Sequence, residues 1–200
     1  MNNKATALAQ ALIRNFHEAP LTAFERAPLY ASQGARLATG TAARKLGASV
    51  DILAPGMRSC PYHLHHTQEE MFIVIAGNGT LRVAGEALPI KAGDVAFIPP
   101  GPEYPHQIIN TSDAPLHYLS ISTTETPEVC EYPDSGKYSA WVRGQGGSAI
   151  NMDGSGISSD ISSGSDISSN SNTNSNTNAV DHFSSIRRSG SDLDYWDGEP

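Results

Sequence analysis

The sequence predicts an all-β fold, a sandwich or barrel of roughly eight short strands. A short helix precedes it and a low-complexity stretch follows it. Three observations carry this reading. From Ala48 to Ser122, short apolar runs alternate with Gly-, Pro-, Asn- and Asp-containing turns, at spacings that suit strands and not helices. Residues 144–180 are dominated by Gly, Ser, Asn, Asp and Thr, which cannot bury enough apolar surface to offset the entropy of ordering the chain. The hydrophobic share of the 200 residues is 38%, low for a chain that packs throughout.

Taken in order, Ala5 to Phe16 reads as a short helix. It is Ala-rich and places Leu8, Leu12 and Ile13 at helical spacing, with Pro20 as its stop. Residues 20–47 carry Pro20, Pro28, Gly34, Gly40 and Gly47; loops and one strand that pairs with the barrel are expected there. Ser49–Leu53 is a strand turned by Ala54-Pro55-Gly56. Arg58–His65 is the next, and Pro61 marks it as an edge or a bulge. Glu70–Ala76 is apolar on both faces, so it should be covered on both. Gly77-Asn78-Gly79 is read as a tight turn, with Thr80–Ala84 returning as the hairpin partner. Ala87–Ile90, Val95–Ile98, His106–Asn110 and Leu116–Ser122 follow as short strands separated by turns. Tyr62, Met71, Phe72 and Phe97 are expected in the core or lining a pocket, and His117 in the core.

The tail is different in kind. Ser159-Asp160-Ile161-Ser162-Ser163 recurs as Ser165-Asp166-Ile167-Ser168-Ser169, and 144–180 is assigned as a disordered linker. Residues 181–200 regain Phe, Ile, Leu, Tyr and Trp, so a segment that docks on the barrel is expected, with Tyr195 and Trp196 as its anchors. The division is therefore an N-terminal helix and arm (1–47), a barrel (48–143), the linker (144–180) and a docking segment (181–200).

The net charge of −8 is uneven: residues 1–150 hold 13 acids against 11 bases, and the last fifty hold 8 against 2. No basic stripe offers itself to phosphates, which argues against a nucleic-acid partner. No apolar run is long enough to span a bilayer, and the N-terminus lacks a signal-peptide core. Cys60 and Cys130 are the only cysteines. Neither lies in a CxxC, so reduced thiols and a cytoplasmic location are expected.

The chemistry concentrates in Pro61-Tyr62-His63-Leu64-His65-His66-Thr67-Gln68-Glu69-Glu70 and in His106. On a strand, His63 and His65 leave by the same face, while His66 leaves by the other and reads as a surface residue. Three imidazoles with one carboxylate suit a transition metal better than Ca or Mg. Tyr104, Gln107 and Asn110 are candidates to orient the ligands. Cys60 reads as a small buried hydrophobe beside the ligand strand.

Gly56, then His63-x-His65, four residues, Glu70, six residues and Gly77 resembles the first motif of the cupin superfamily, with an opening gap one residue longer than usual. The six-residue gap selects Glu70 over its neighbour Glu69. Gly93, five residues, Pro99-x-Gly101, then His106, three residues and Asn110 resembles the second motif, with two extra residues before His106. The resemblance covers Ala48 to Ser122. Glu131 to Lys137 and Asp194 to Glu199 also resemble segments of small bacterial cupins of unassigned activity. It implies a double-stranded β-helix (jelly-roll) barrel and commonly a homodimer. It also implies one divalent transition metal (Fe, Mn, Ni or Zn) held by His63, His65, Glu70 and His106. Such a site suits a metal-dependent dioxygenase, isomerase or decarboxylase acting on a small oxygenated metabolite. The alternative is a non-catalytic barrel that binds or senses a small molecule; a storage role has no need of an intact ligand set.

Overall fold

The computed structural model describes residues 3–142, 183–188 and 191–199. The expected linker, 144–180, lies outside the described residues. Among the described residues the fold is fourteen strands and one helix, α1 (Asn3–Leu12). The helix starts and stops earlier than the sequence pattern suggests. It buries no side chain, so no packing extends it toward Pro20.

The first strands are β1 (Thr22–Arg26), β2 (Tyr30–Arg36), β3 (Leu46–Leu53) and β4 (Leu64–His65). Next come β5 (Glu70–Ala76), β6 (Asn78–Val83), β7 (Glu86–Lys91), β8 (Val95–Ile98), β9 (His106–Ile109) and β10 (Leu116–Thr123). β11 (Glu128–Tyr132), β12 (Lys137–Val142), β13 (Phe183–Arg188) and β14 (Ser191–Asp192) complete the set. One sheet runs β1-β2-β3-β10-β5-β8, a second β14-β13-β12-β11-β4, and a third β7-β6-β9. An isolated bridge between His63 and His106 links the segment leading into β4 with β9. That bridge brings two ligand-bearing segments side by side.

Two expectations are corrected here. Residues 20–47 hold two strands, and the β1–β2 hairpin extends the large sheet through β3. The second correction concerns β6, which pairs with β7 and β9 and not with β5; β5 pairs with β10 and β8. Gly77 is the reason. It sits at φ 83°, and a Cβ there would stand 2.5 Å from the Pro115 carbonyl oxygen. The chain uses that crowded point as a corner between sheets, where a hairpin turn would have kept it in one.

The core lies between the sheets. Leu53, Phe72, Val74, Leu116 and Tyr118 come from the large sheet, and Leu81, Ile90 and Ile108 from the three-stranded one. β5 shows why the register is fixed: Glu70, Phe72 and Val74 are buried on one face, while Met71, Ile73 and Ile75 are half-buried on the other. A one-residue slip would exchange the two sets. Phe97, expected inside, is 66% exposed, because on β8 it alternates with the buried Ile98. His117 is likewise half-buried, on the face of β10 opposite the buried Leu116 and Tyr118.

Candidate metal centre

His63, His65, Glu70 and His106 are all buried, at 7%, 4%, 3% and 1% exposure. Each reaches its place by a different route. Glu70 opens β5 on its inner face. His106 opens β9, and its backbone exchanges both hydrogen bonds with His63. His65 lies on β4, paired to Cys130 of β11. His63 itself sits just before β4, so the expected continuous strand from Arg58 is reduced to bridges and two strand residues.

The side chains converge on one atom. Glu70 Oε2 is 2.7 Å from His106 Nε2, 3.5 Å from His65 Nε2 and 3.9 Å from His63 Nε2. One ligand atom each from His63, Glu70 and His106 lies within 4.8 Å of the others; His65 joins through Glu70. The opposite ring nitrogens are turned outward. His63 Nδ1 bonds the Pro61 carbonyl at 2.9 Å, and His106 Nδ1 the Tyr104 carbonyl at 3.1 Å. That arrangement fixes the tautomer and leaves both Nε2 atoms facing Glu70. His65 Nδ1 lies 3.4 Å from Glu128 Oε1.

Electrostatics follows from burial and crowding. Burial, with the neighbouring His106 and His65, pushes His63 down to about 3. Burial would lower His65 too, but the carboxylates of Glu70 and Glu128 outweigh it and raise the group to about 9. Burial opposes the charge on Glu70, yet His65 and His106 hold its carboxyl well below the usual range. The donor set fits a divalent transition ion. Nitrogen and oxygen donors converge, two outward nitrogens are already anchored, and both ring nitrogens of His65 are buried within 3.5 Å of carboxylate oxygens.

A cavity of about 520 Å³ is lined by His63, Glu70 and His106 together with Phe24, Asp51 and Tyr118. The β1–β2 hairpin supplies one of its walls. Of the candidate orienting residues, Tyr104 acts through its carbonyl. Gln107 donates to the Cys60 carbonyl, and Asn110 ties Leu53 to Ala114. His66 is exposed and meets Glu131 at 2.7 Å; Glu69 is exposed.

Glu128 is the buried carboxylate beside the candidate site that the sequence reading misses. It is fully buried, and it accepts bonds from the backbone N–H groups of His66, Thr67 and Gln68 and from the Thr67 hydroxyl. Burial opposes its charge, but bonds from His65 and Thr67 outweigh that and lower its carboxyl. No spacing rule pointed to it, because it lies beyond both motifs; an acid alternating with Cys130 and Tyr132 on a strand was the available signal.

The family model for the cupin domain matches residues 49–122, the stretch that carries all four candidate ligands. The chain belongs to the cupin superfamily. Among solved cupin-like structures, a proposed sugar phosphate isomerase of Acidithiobacillus ferrooxidans is 30% identical. The match covers 55% of this chain and 70% of that one, with a TM-score of 0.52. A sugar phosphate isomerase of the cupin superfamily from Silicibacter pomeroyi, 24% identical, shares the fold with a TM-score of 0.57 over 63% of this chain and 84% of that one. An oxalate-binding protein of Thermotoga maritima is 36% identical over 69 residues, 34% of this chain and 54% of its own length. An uncharacterised protein of Methanocaldococcus jannaschii is 37% identical over 60 residues, 30% of this chain and 46% of its own. The cupin chain thus spans about half the length of the curated relatives it matches. No helix among the described residues is long and apolar enough to cross a membrane.

Proposed function

We propose that this cupin is a metal-dependent enzyme of the isomerase, decarboxylase or dioxygenase type, acting in the cytoplasm on a small oxygenated metabolite. His63, His65, Glu70 and His106 hold one divalent transition ion, Fe, Mn, Ni or Zn. The observation that carries the reading is the convergence of three Nε2 atoms on Glu70 Oε2 beside the cavity. The ion supplies Lewis acidity or redox chemistry to a ligand oxygen. The chain's own part is to position the ligand. Ser32, Ser49, Ser120 and Asp51 line the cavity with polar groups, while Phe72 and Ile108 supply apolar surface. The likeness to sugar phosphate isomerases supports a polyhydroxylated ligand.

A second reading, a binding module without turnover, is supported by the likeness to an oxalate-binding protein. We also propose that the chain pairs as a homodimer, as cupins commonly do.

Metal analysis of the protein as purified is expected to find near one ion per chain. His63→Ala and His106→Ala lose it and stay folded. Turnover across a panel of sugar phosphates and small hydroxy acids supports the enzyme. A ligand-induced thermal shift without turnover supports the binding module, and a metal-free native protein sinks the enzyme reading.

A further inference from the structure

A sulfur donor that the proposed function leaves unused lies against two of the candidate ligands, outside the cavity lining. Cys130 on β11 lies directly across from His65 on β4, so the two side chains share a face of the sheet. One ligand atom each from His63, His65 and Cys130 lies within 4.8 Å of the others. All three residues are buried, Cys130 to 2%. A buried cysteine is ordinarily an inert small hydrophobe, and Cys130 does pack with Tyr132 and Tyr195. Two imidazoles at ligand spacing set it apart from such a filler. His65 is held between two carboxylates, with Glu70 Oε2 3.5 Å from Nε2 and Glu128 Oε1 3.4 Å from Nδ1. Cys60, the other thiol, is 3.7 Å from His63 Nδ1, but that nitrogen already faces the Pro61 carbonyl.

We propose that His63, His65 and Cys130 form a second, sulfur-containing coordination position that takes a softer ion, Zn²⁺ or Cu⁺. The proposal rests on the metal-binding reading of this cavity. Thiolate selects soft ions, whereas the Glu70 carboxylate suits harder ones. With Nδ1 engaged, His63 has only Nε2 to give, so the two positions compete for it. The thiol proton leaves to solvent as the sulfur–metal bond forms. A thiophilic ion therefore competes with the carboxylate-bound one for His63.

Co²⁺ is the probe, because thiolate–cobalt complexes absorb strongly in the near ultraviolet and imidazole–carboxylate complexes do not. The full chain is stripped with a chelator and titrated with Co²⁺. The wild type and Glu70→Gln are expected to develop the thiolate band. Cys130→Ala and the size-conserving Cys130→Ser lose it, while visible cobalt bands show that the ion still binds. Cys60→Ala keeps it. Circular dichroism verifies the fold of each variant. Cobalt bound to the wild type without the near-ultraviolet band overturns the proposal, as does a band that survives Cys130→Ala or vanishes with Cys60→Ala. Absence of any cobalt binding to the wild type overturns the metal-binding reading with it.

Discussion

Glu128 lies fully buried on β11, and its two oxygens collect the N–H groups of three successive residues, His66, Thr67 and Gln68. Those residues lie in the loop between two candidate ligands, His65 and Glu70. Removing the carboxylate strands the donors in a dry site, and each buried unsatisfied donor is costly. Glu128→Ala is expected to cost about 3 kcal/mol in chemical denaturation; a loss within ordinary surface values contradicts the assignment. A second prediction concerns the metal-free protein. His63 falls from 6.5 to about 3 on folding, so the unfolded chain binds the extra proton and stability rises with pH up to about 6.5. His65 rises from 6.5 to about 9. Its contribution is complete below 6.5 and fades as pH climbs through 9. The melting temperature of chelator-treated protein should therefore peak near neutrality and fall on both sides; a flat profile from pH 4 to 9 sinks the idea. The four candidate ligands were legible because three fall in one short stretch, His63 to Glu70, and His106 falls in a second motif downstream. Glu128 was not, because what defines it is a contact across 60 residues of sequence.

β5 was readable in its bounds, Glu70–Ala76, but a run apolar on both faces carries no period-two signal, and the structure buries one face and half-buries the other. Its partner was not readable, since the crowding at Gly77 depends on Pro115, far along the chain. The β1–β2 hairpin was hidden for a related reason: its strand sequences are mixed, and part of their cover comes from the C-terminal end. Trp196 stacks on Phe24 at 5.5 Å, tilts against Tyr30 at 4.7 Å, and carries the Arg26 guanidinium 4.7 Å above its ring. Nearby, the buried Lys137 ammonium meets Glu199 at 3.0 Å and the Tyr195 carbonyl. Breaking a buried pair normally leaves a stranded charge. Here Glu199 can escape by undocking the segment, which caps the loss at the docking free energy. Lys137→Met is thus expected to open the Tyr195–Trp196 bonds to chymotrypsin, while the barrel still unfolds cooperatively. Unchanged resistance to the protease contradicts a holding role for the Lys137–Glu199 pair.

At the scale of the whole molecule, the proposed homodimer needs an apolar face. Phe97 is 66% exposed, Leu88 47% and Val95 46%. Val95 and Phe97 project from one face of β8, which among the described residues is also an edge of the six-stranded sheet. An exposed flat edge flanked by large apolar side chains invites pairing with another chain. Two-fold pairing sets each copy's patch against the other's, so one substitution acts twice. Burying a phenylalanine contributes about 2 kcal/mol, and a charge placed there must be desolvated for the pair to form. Phe97→Glu is therefore expected to shift sedimentation equilibrium from dimer to monomer while leaving the melting temperature of the isolated barrel nearly unchanged. The residue lies outside the cavity lining, so metal content stays the same. A wild-type protein that sediments as a monomer removes the dimer, and a Phe97→Glu dimer moves the interface to another face.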